Sequence, residues 1–140
     1  MICQNGGIKQ FEHSMTGYNS LPSALLAKLR AVQWLKPWRS VSPDEKALAH
    51  RLEEELRAEL GKAHVIFPYQ GTARAIAKRD DCDDVLFWLV EAEKPFAVVH
   101  LTWSGSPEAD SLWPRVRLFK SLDDFVECDL IPTHRDWSTS

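Results

Sequence analysis

The stretch FAVVHLTW, residues 96–103, is the most strand-like run in the chain, and the alternation of its side chains decides the fold. Successive residues of a strand point to opposite faces of the sheet. Ala97, Val99, Leu101 and Trp103 therefore share one face, wholly apolar, which predicts packing against helices. Phe96, Val98, His100 and Thr102 share the other, which turns polar toward its C-terminal end. On that half-exposed side a histidine costs little, and threonine is a good strand former. His100 thus reads first as a residue of a solvated sheet face. Alternatively, His100 is a ligand contact or general base in a sheet-face pocket, with Thr102 beside it. No carboxylate stands at a fixed sequence spacing to orient the ring, so chemistry at His100 is weakly signalled.

Working outward, TARAIAKR (72–79) alternates, RDDCDD (79–84) is a polar turn, and VLFWLV (85–90) is a buried strand candidate. EAEKP (91–95) turns the chain back into the opening stretch, RVRLF (115–119) supplies a fourth strand, and HVIF (64–67) is a candidate fifth. Turns this short join antiparallel neighbours, because parallel strands need a long crossover. Upstream the period becomes helical. In NSLPSALLAKLRAVQWL (19–35), Leu25, Leu29 and Val32 share one face, Ser20 can cap, Pro22 suits the first turn, and Pro37 stops the helix. A second helix is signalled by Ser42, Pro43 and Glu45 as a capping box. Leu48, Leu52, Leu56 and Leu60 form its apolar stripe, Gly61 its end, and Glu53 and Arg57 a pair on its solvent side. SLDDFVECDL (121–130) opens with Ser121 and carries Asp124 at the capping-box position, which predicts a short helix ending before Pro132. The expected fold is an α+β two-layer domain: two N-terminal helices, an antiparallel meander of three to five strands, and a short C-terminal helix.

At 140 residues the chain is one domain, expected over 20–140, behind a mobile tail at 1–19. Met15 is a candidate natural start, with residues 1–14 an upstream extension. A net charge of -3 speaks against non-specific nucleic-acid binding, which needs a basic surface. Cys3, Cys82 and Cys128 are odd in number and lack CxxC spacing, as suits free thiols in a reducing compartment. The longest apolar run is too short to span a membrane, and the N-terminus lacks the apolar core of a secretory signal. A cytoplasmic location is expected.

Several clusters carry chemistry, each with a plainer explanation beside it. The aspartates of RDDCDD could hold a hard cation, but they lack the glycine and closing glutamate of a calcium loop, and a solvated turn explains them. KLRAVQWLKPWR (28–39) interleaves Lys28, Arg30, Lys36 and Arg39 with Trp34 and Trp38, the composition of a nucleic-acid contact. Cations at a helix end are equally what the helix dipole favours. Trp113, before Pro114, is either a lid over the sheet or an exposed anchor for a partner. Six tryptophans are many for so small a core, which hints at binding. The five histidines never pair at i,i+3 or i,i+4, so neither a metal nor a cofactor is expected.

ARAIAKRDDCDDVLFWLV, FAVVHLTWSG, the WP at 113–114 and SLDDFV together resemble a group of small uncharacterised bacterial proteins, over about residues 60–130. The resemblance implies a compact bacterial cytosolic domain and carries no activity. The SLDDFV ending is also similar to proteins that neutralise toxins in bacterial competition. The function read from these features is a non-enzymatic interaction protein that binds another protein, a toxin being one candidate. Asp123 and Asp124 would steer a basic partner, and Trp103 and Trp113 would anchor it. The alternative is a small enzyme or ligand-binding domain using His100. A homodimer is compatible with either.

Overall fold

The computed structural model describes Tyr18, residues 21–107, Asp110 and residues 112–139. Five strands form one antiparallel sheet in sequence order: β1 Trp38–Ser40, β2 Arg74–Arg79, β3 Asp84–Trp88, β4 Phe96–His100 and β5 Val116–Phe119. Helix α1 (Ser23–Ala31) precedes β1, and α2 (Lys46–Glu59) links β1 to a 3-10 turn (Phe67–Thr72) leading into β2. After β5 come α3 (Leu122–Phe125), a π-helical turn (Val126–Leu130) and α4 (Ile131–Thr139). The α+β class, the meander and the C-terminal helix are as the sequence predicts. Among the described residues no helix is long and apolar enough to cross a membrane.

Alternation within β4 places Ala97, Val99 and Leu101 against Leu52, Leu56 and Leu60 of the α2 stripe, together with Val85 and Phe87 of β3. Burying each such leucine contributes roughly 1.5–3 kcal/mol. The opposite sheet face is covered as well. Ile76, Leu86, Phe96 and Val98 pack under Leu29, Leu122, Phe125 and Leu130, with Trp38 joining from β1. Phe125 is the hub, edge-on to Trp38 at 5.1 Å and to Phe119 at 5.9 Å between centroids. Phe96 and Val98 are therefore buried, and only the His100 end of that face reaches water. Tyr18, within the expected tail, is buried in this second core; the rest of 1–19 lies outside the described residues.

Some local expectations are corrected. Trp103, expected on the buried face, is 44% exposed, because β4 ends at His100 and Trp103 takes a positive φ of 59°. The chain leaves the sheet there, and strand alternation no longer applies. Glu53, expected on the solvent side, is 2% exposed and accepts a 2.8 Å hydrogen bond from the Ala75 amide. That amide lies where the β2–β3 register shifts, so a carboxylate replaces a missing strand partner. The extra strand comes from Trp38–Ser40, whereas HVIF turns into the 3-10 segment. Glu45 does accept the Ser42 amide at 3.0 Å, but α2 starts only at Lys46. Ser121 caps α3 as expected, accepting from the Asp124 amide at 3.0 Å. The helical path then runs past Pro132. A proline ring clashes with the carbonyl four residues back, here Cys128, and that carbonyl falls inside the wider π turn.

Candidate functional site

The β3–β4 hairpin sets the site. Its register pairs Trp88 with Phe96 and, at the open end, Asp84 with His100. Asp84 Oδ1 lies 2.7 Å from His100 Nδ1. An ionised carboxylate only accepts, so in the neutral ring Nδ1 carries the proton and Nε2 is left as an acceptor. Nε2 has no hydrogen-bond partner among the described residues. Asp84 is nearly buried, while the imidazole is half exposed.

Two arginines frame Asp84. Arg117 of β5 pairs opposite Val98, so it shares the His100 face; its Nη2 is 3.3 Å from Asp84 Oδ2 and 2.7 Å from Asp129 Oδ2. Arg79 Nη1 is 3.6 Å from Asp84 Oδ2, but its main partner is Asp81, met through two bonds of 2.8 and 2.7 Å. Asp129, fully buried in the π turn, accepts from Trp38 Nε1 at 3.1 Å and Thr133 Oγ1 at 3.0 Å. A continuous polar chain thus runs from the second core through Asp129 and Arg117 to Asp84 and His100. Its Arg117–Asp129 link is an ion pair alone, since Asp129 Oδ2 is buried without a hydrogen-bond partner.

Above this floor lies a cavity of about 790 Å³, walled by His64, Trp113 and Arg115. Arg115 stacks on the Trp113 indole, 4.8 Å from the ring centroid to the guanidinium carbon. Among the described residues Arg115 has no carboxylate at ion-pair distance. His64 is buried and pinned: Nδ1 accepts from the Ile66 amide at 3.2 Å, so Nε2 is the protonated nitrogen and donates to the Pro114 carbonyl at 2.7 Å. His64 therefore holds the Trp113 loop, in the opposite tautomer to His100. Val65 and Leu112, 63% and 74% exposed, give the mouth an apolar rim.

The segment leaving β4 is held by two acids of α2. Glu59 is fully buried; its Oε1 accepts from the Thr102 amide at 2.9 Å and its Oε2 from the Trp103 amide at 2.7 Å. Glu55 accepts from the Gly105 amide at 3.0 Å. Burial first, and then a hydrogen bond to Glu55, push the Glu59 carboxyl up to about 7, against the lowering effect of the two amides.

Of the residues singled out from sequence, His100 and Trp113 meet in this cavity. Thr102 is committed elsewhere, its amide to Glu59 and its hydroxyl to Ser104 at 3.1 Å. Trp103 points to solvent outside the pocket lining. Asp123 and Asp124 are exposed in the first turn of α3, and Asp123 borders a separate cavity of about 420 Å³ against α1. Trp38 is buried and Arg39 is paired with Glu45 and Asp80, so the 28–39 segment offers no stacked basic groove. The sequence offers Asp84 only as one of the RDDCDD aspartates, not as the partner of His100, and gives no sign of Arg115, Arg117, Asp129 or His64 as site residues. Asp84 had a signal: a hairpin centred on residue 92 sets position 84 opposite 100. Sequence spacing also concealed that Cys82, Asp84 and His100 place donor atoms within 4.8 Å of one another. Burial holds the Cys82 thiol above its ordinary value, against a hydrogen bond to the Asp84 backbone that lowers it, which disfavours it as a free nucleophile. Comparison with protein-family models, curated proteins and solved structures finds no match to this chain.

Proposed function

We propose that this chain binds a small anionic molecule in the cavity over β4 and β5, with His100 exchanging a proton with it. The observation that carries this is the 2.7 Å pairing of His100 with Asp84 on the cavity floor. Nε2 is left as a proton acceptor facing the space a ligand would occupy. Arg115 supplies a positive charge whose guanidinium is held by Trp113, suited to a carboxylate or phosphate beside a flat apolar group. A cavity of about 790 Å³ has the size of a small-molecule site. The test is a nuclear magnetic resonance screen of small carboxylates and phosphate esters, run in the presence of EDTA. Support consists of shifts at His100 and Trp113 that saturate and weaken in R115Q. Shifts scattered over the surface, or unchanged in R115Q, would count against a site here.

A second reading keeps the expected protein partner. It is favoured by the exposed Val65 and Leu112 at the cavity mouth. Scattered apolar residues are common on surfaces, whereas a group of them beside a cavity suits a partner. Asp123 and Asp124 also serve the dipole at the N-terminus of α3, which explains them without a partner. Reversing both charges would leave partner capture unchanged if that helix role is their whole contribution.

A further inference from the structure

We infer that Cys82, Asp84 and His100 form a binding site for a divalent transition metal of the zinc class, with an open coordination position toward the cavity. The inference rests on the reading of that cavity as a ligand site only for what the open position meets. Three side chains of different donor type converge here: a thiol sulfur, a carboxylate oxygen and an imidazole nitrogen, all within 4.8 Å of one another. Mixed sulfur, nitrogen and oxygen donors select zinc-like ions over magnesium or calcium. Three protein ligands leave a fourth tetrahedral position for water or ligand.

The fold fixes two of the three. Asp84 and His100 are cross-strand partners in β3 and β4, and the register holds them face to face. Cys82 stands two residues before Asp84 in the partly exposed turn, where the backbone can adjust. Bond lengths of about 2.0–2.3 Å place tetrahedral ligand atoms about 3.3–3.7 Å apart, so closure needs a movement on the order of 1 Å.

Charge also fits. Each nearby arginine has a closer carboxylate of its own: Arg79 is bidentate on Asp81, and Arg117 meets Asp129 at 2.7 Å. Asp84 receives only their longer contacts of 3.6 and 3.3 Å. Asp81, Asp84 and Asp129 against Arg79 and Arg117 sum to one negative charge, and a Cys82 thiolate makes two. A dication brings the cluster to neutrality: the thiol releases its proton, and His100 leaves its 2.7 Å hydrogen bond with Asp84 to offer an unprotonated ring nitrogen. An ion-pair network alone has no use for the thiol.

The test is titration of the full chain, first stripped with EDTA, with cobalt(II) as the optical probe and then zinc(II) as competitor. We expect one equivalent of cobalt with tetrahedral d–d absorption and a thiolate-to-metal charge-transfer band, displaced by zinc. C82S should abolish the charge-transfer band, and both C82S and H100Q should weaken binding at least about tenfold, since even outer partners of a metal site are worth that much. Cys82 is on a turn, so circular dichroism of C82S should match the unaltered chain. Absence of the band, its persistence in C82S (a thiolate from Cys3 or Cys128), or unchanged affinity in H100Q would overturn the inference. Ligand binding in EDTA without any cobalt band would leave the cavity reading intact and remove the metal. A cobalt band without ligand binding would do the reverse.

Discussion

Replacing Glu59 by glutamine should abolish a pH dependence of stability that its burial creates. The carboxyl titrates at about 7 in the folded chain against an ordinary value of 4.5, because burial and the Glu55 hydrogen bond favour the neutral form. For an acid raised on folding, the stabilisation is fully present below 4.5 and lost as pH rises through about 7. At 1.36 kcal/mol per unit, the whole effect is about 3 kcal/mol, of which roughly 2–3 kcal/mol falls between pH 5 and pH 8. Urea unfolding of both chains at several pH values measures this directly. Glutamine stays neutral and retains an oxygen for the Thr102 and Trp103 amides, so the difference between the chains removes the titration of groups that do not touch Glu59. We expect the stability of the unaltered chain relative to E59Q to fall by roughly 2–3 kcal/mol from pH 5 to pH 8. E55Q should shrink that amplitude. A gap between the chains that is the same at every pH would refute the reasoning.

Further outcomes follow from the buried polar groups. E53A leaves the Ala75 amide at the sheet irregularity without its acceptor and should cost about 1–3 kcal/mol in urea unfolding, whereas E53Q should recover most of it. D129A removes the buried acceptor of Trp38 and Thr133 and the ion-pair partner of the half-exposed Arg117, for a loss of about 1–3 kcal/mol. D129N should cost less while still shifting the Arg117 side-chain resonances, since the ion pair is gone and the Trp38 acceptor remains. S121A removes the cap on α3 and should lower stability by about 0.5–2 kcal/mol.

The sheet was legible because β3 and β4 carry uninterrupted apolar side chains between polar turns, and α2 because its leucines repeat every four residues. The second helical layer was harder to read. Phe125 and Leu130 point to one side only through a π turn, whose wider spacing breaks the helical period. Glu53 was misplaced because a buried carboxylate looks like a surface one until the strand irregularity it fills is known. Its amide partner, Ala75, is 22 positions away. The site depended on pairing across strands. His100 stood out, but Asp84 sits 16 positions earlier and Arg117 comes from a third strand, so neither has a local spacing that betrays it. Arg115 and Trp113 lie in a segment whose path over the sheet is set by His64 holding the Pro114 carbonyl, a contact spanning 50 positions.

The orientation of His100 by Asp84 is most directly tested by nitrogen-15 spectra of the histidine rings. In the neutral form His100 should carry its proton on Nδ1, and His64, held by the Ile66 amide and the Pro114 carbonyl, should show the opposite tautomer in the same spectrum. D84N should disturb the His100 pattern and leave His64 as it was. Finding His100 protonated on Nε2, or unmoved by D84N, would contradict the pairing on which the site is built.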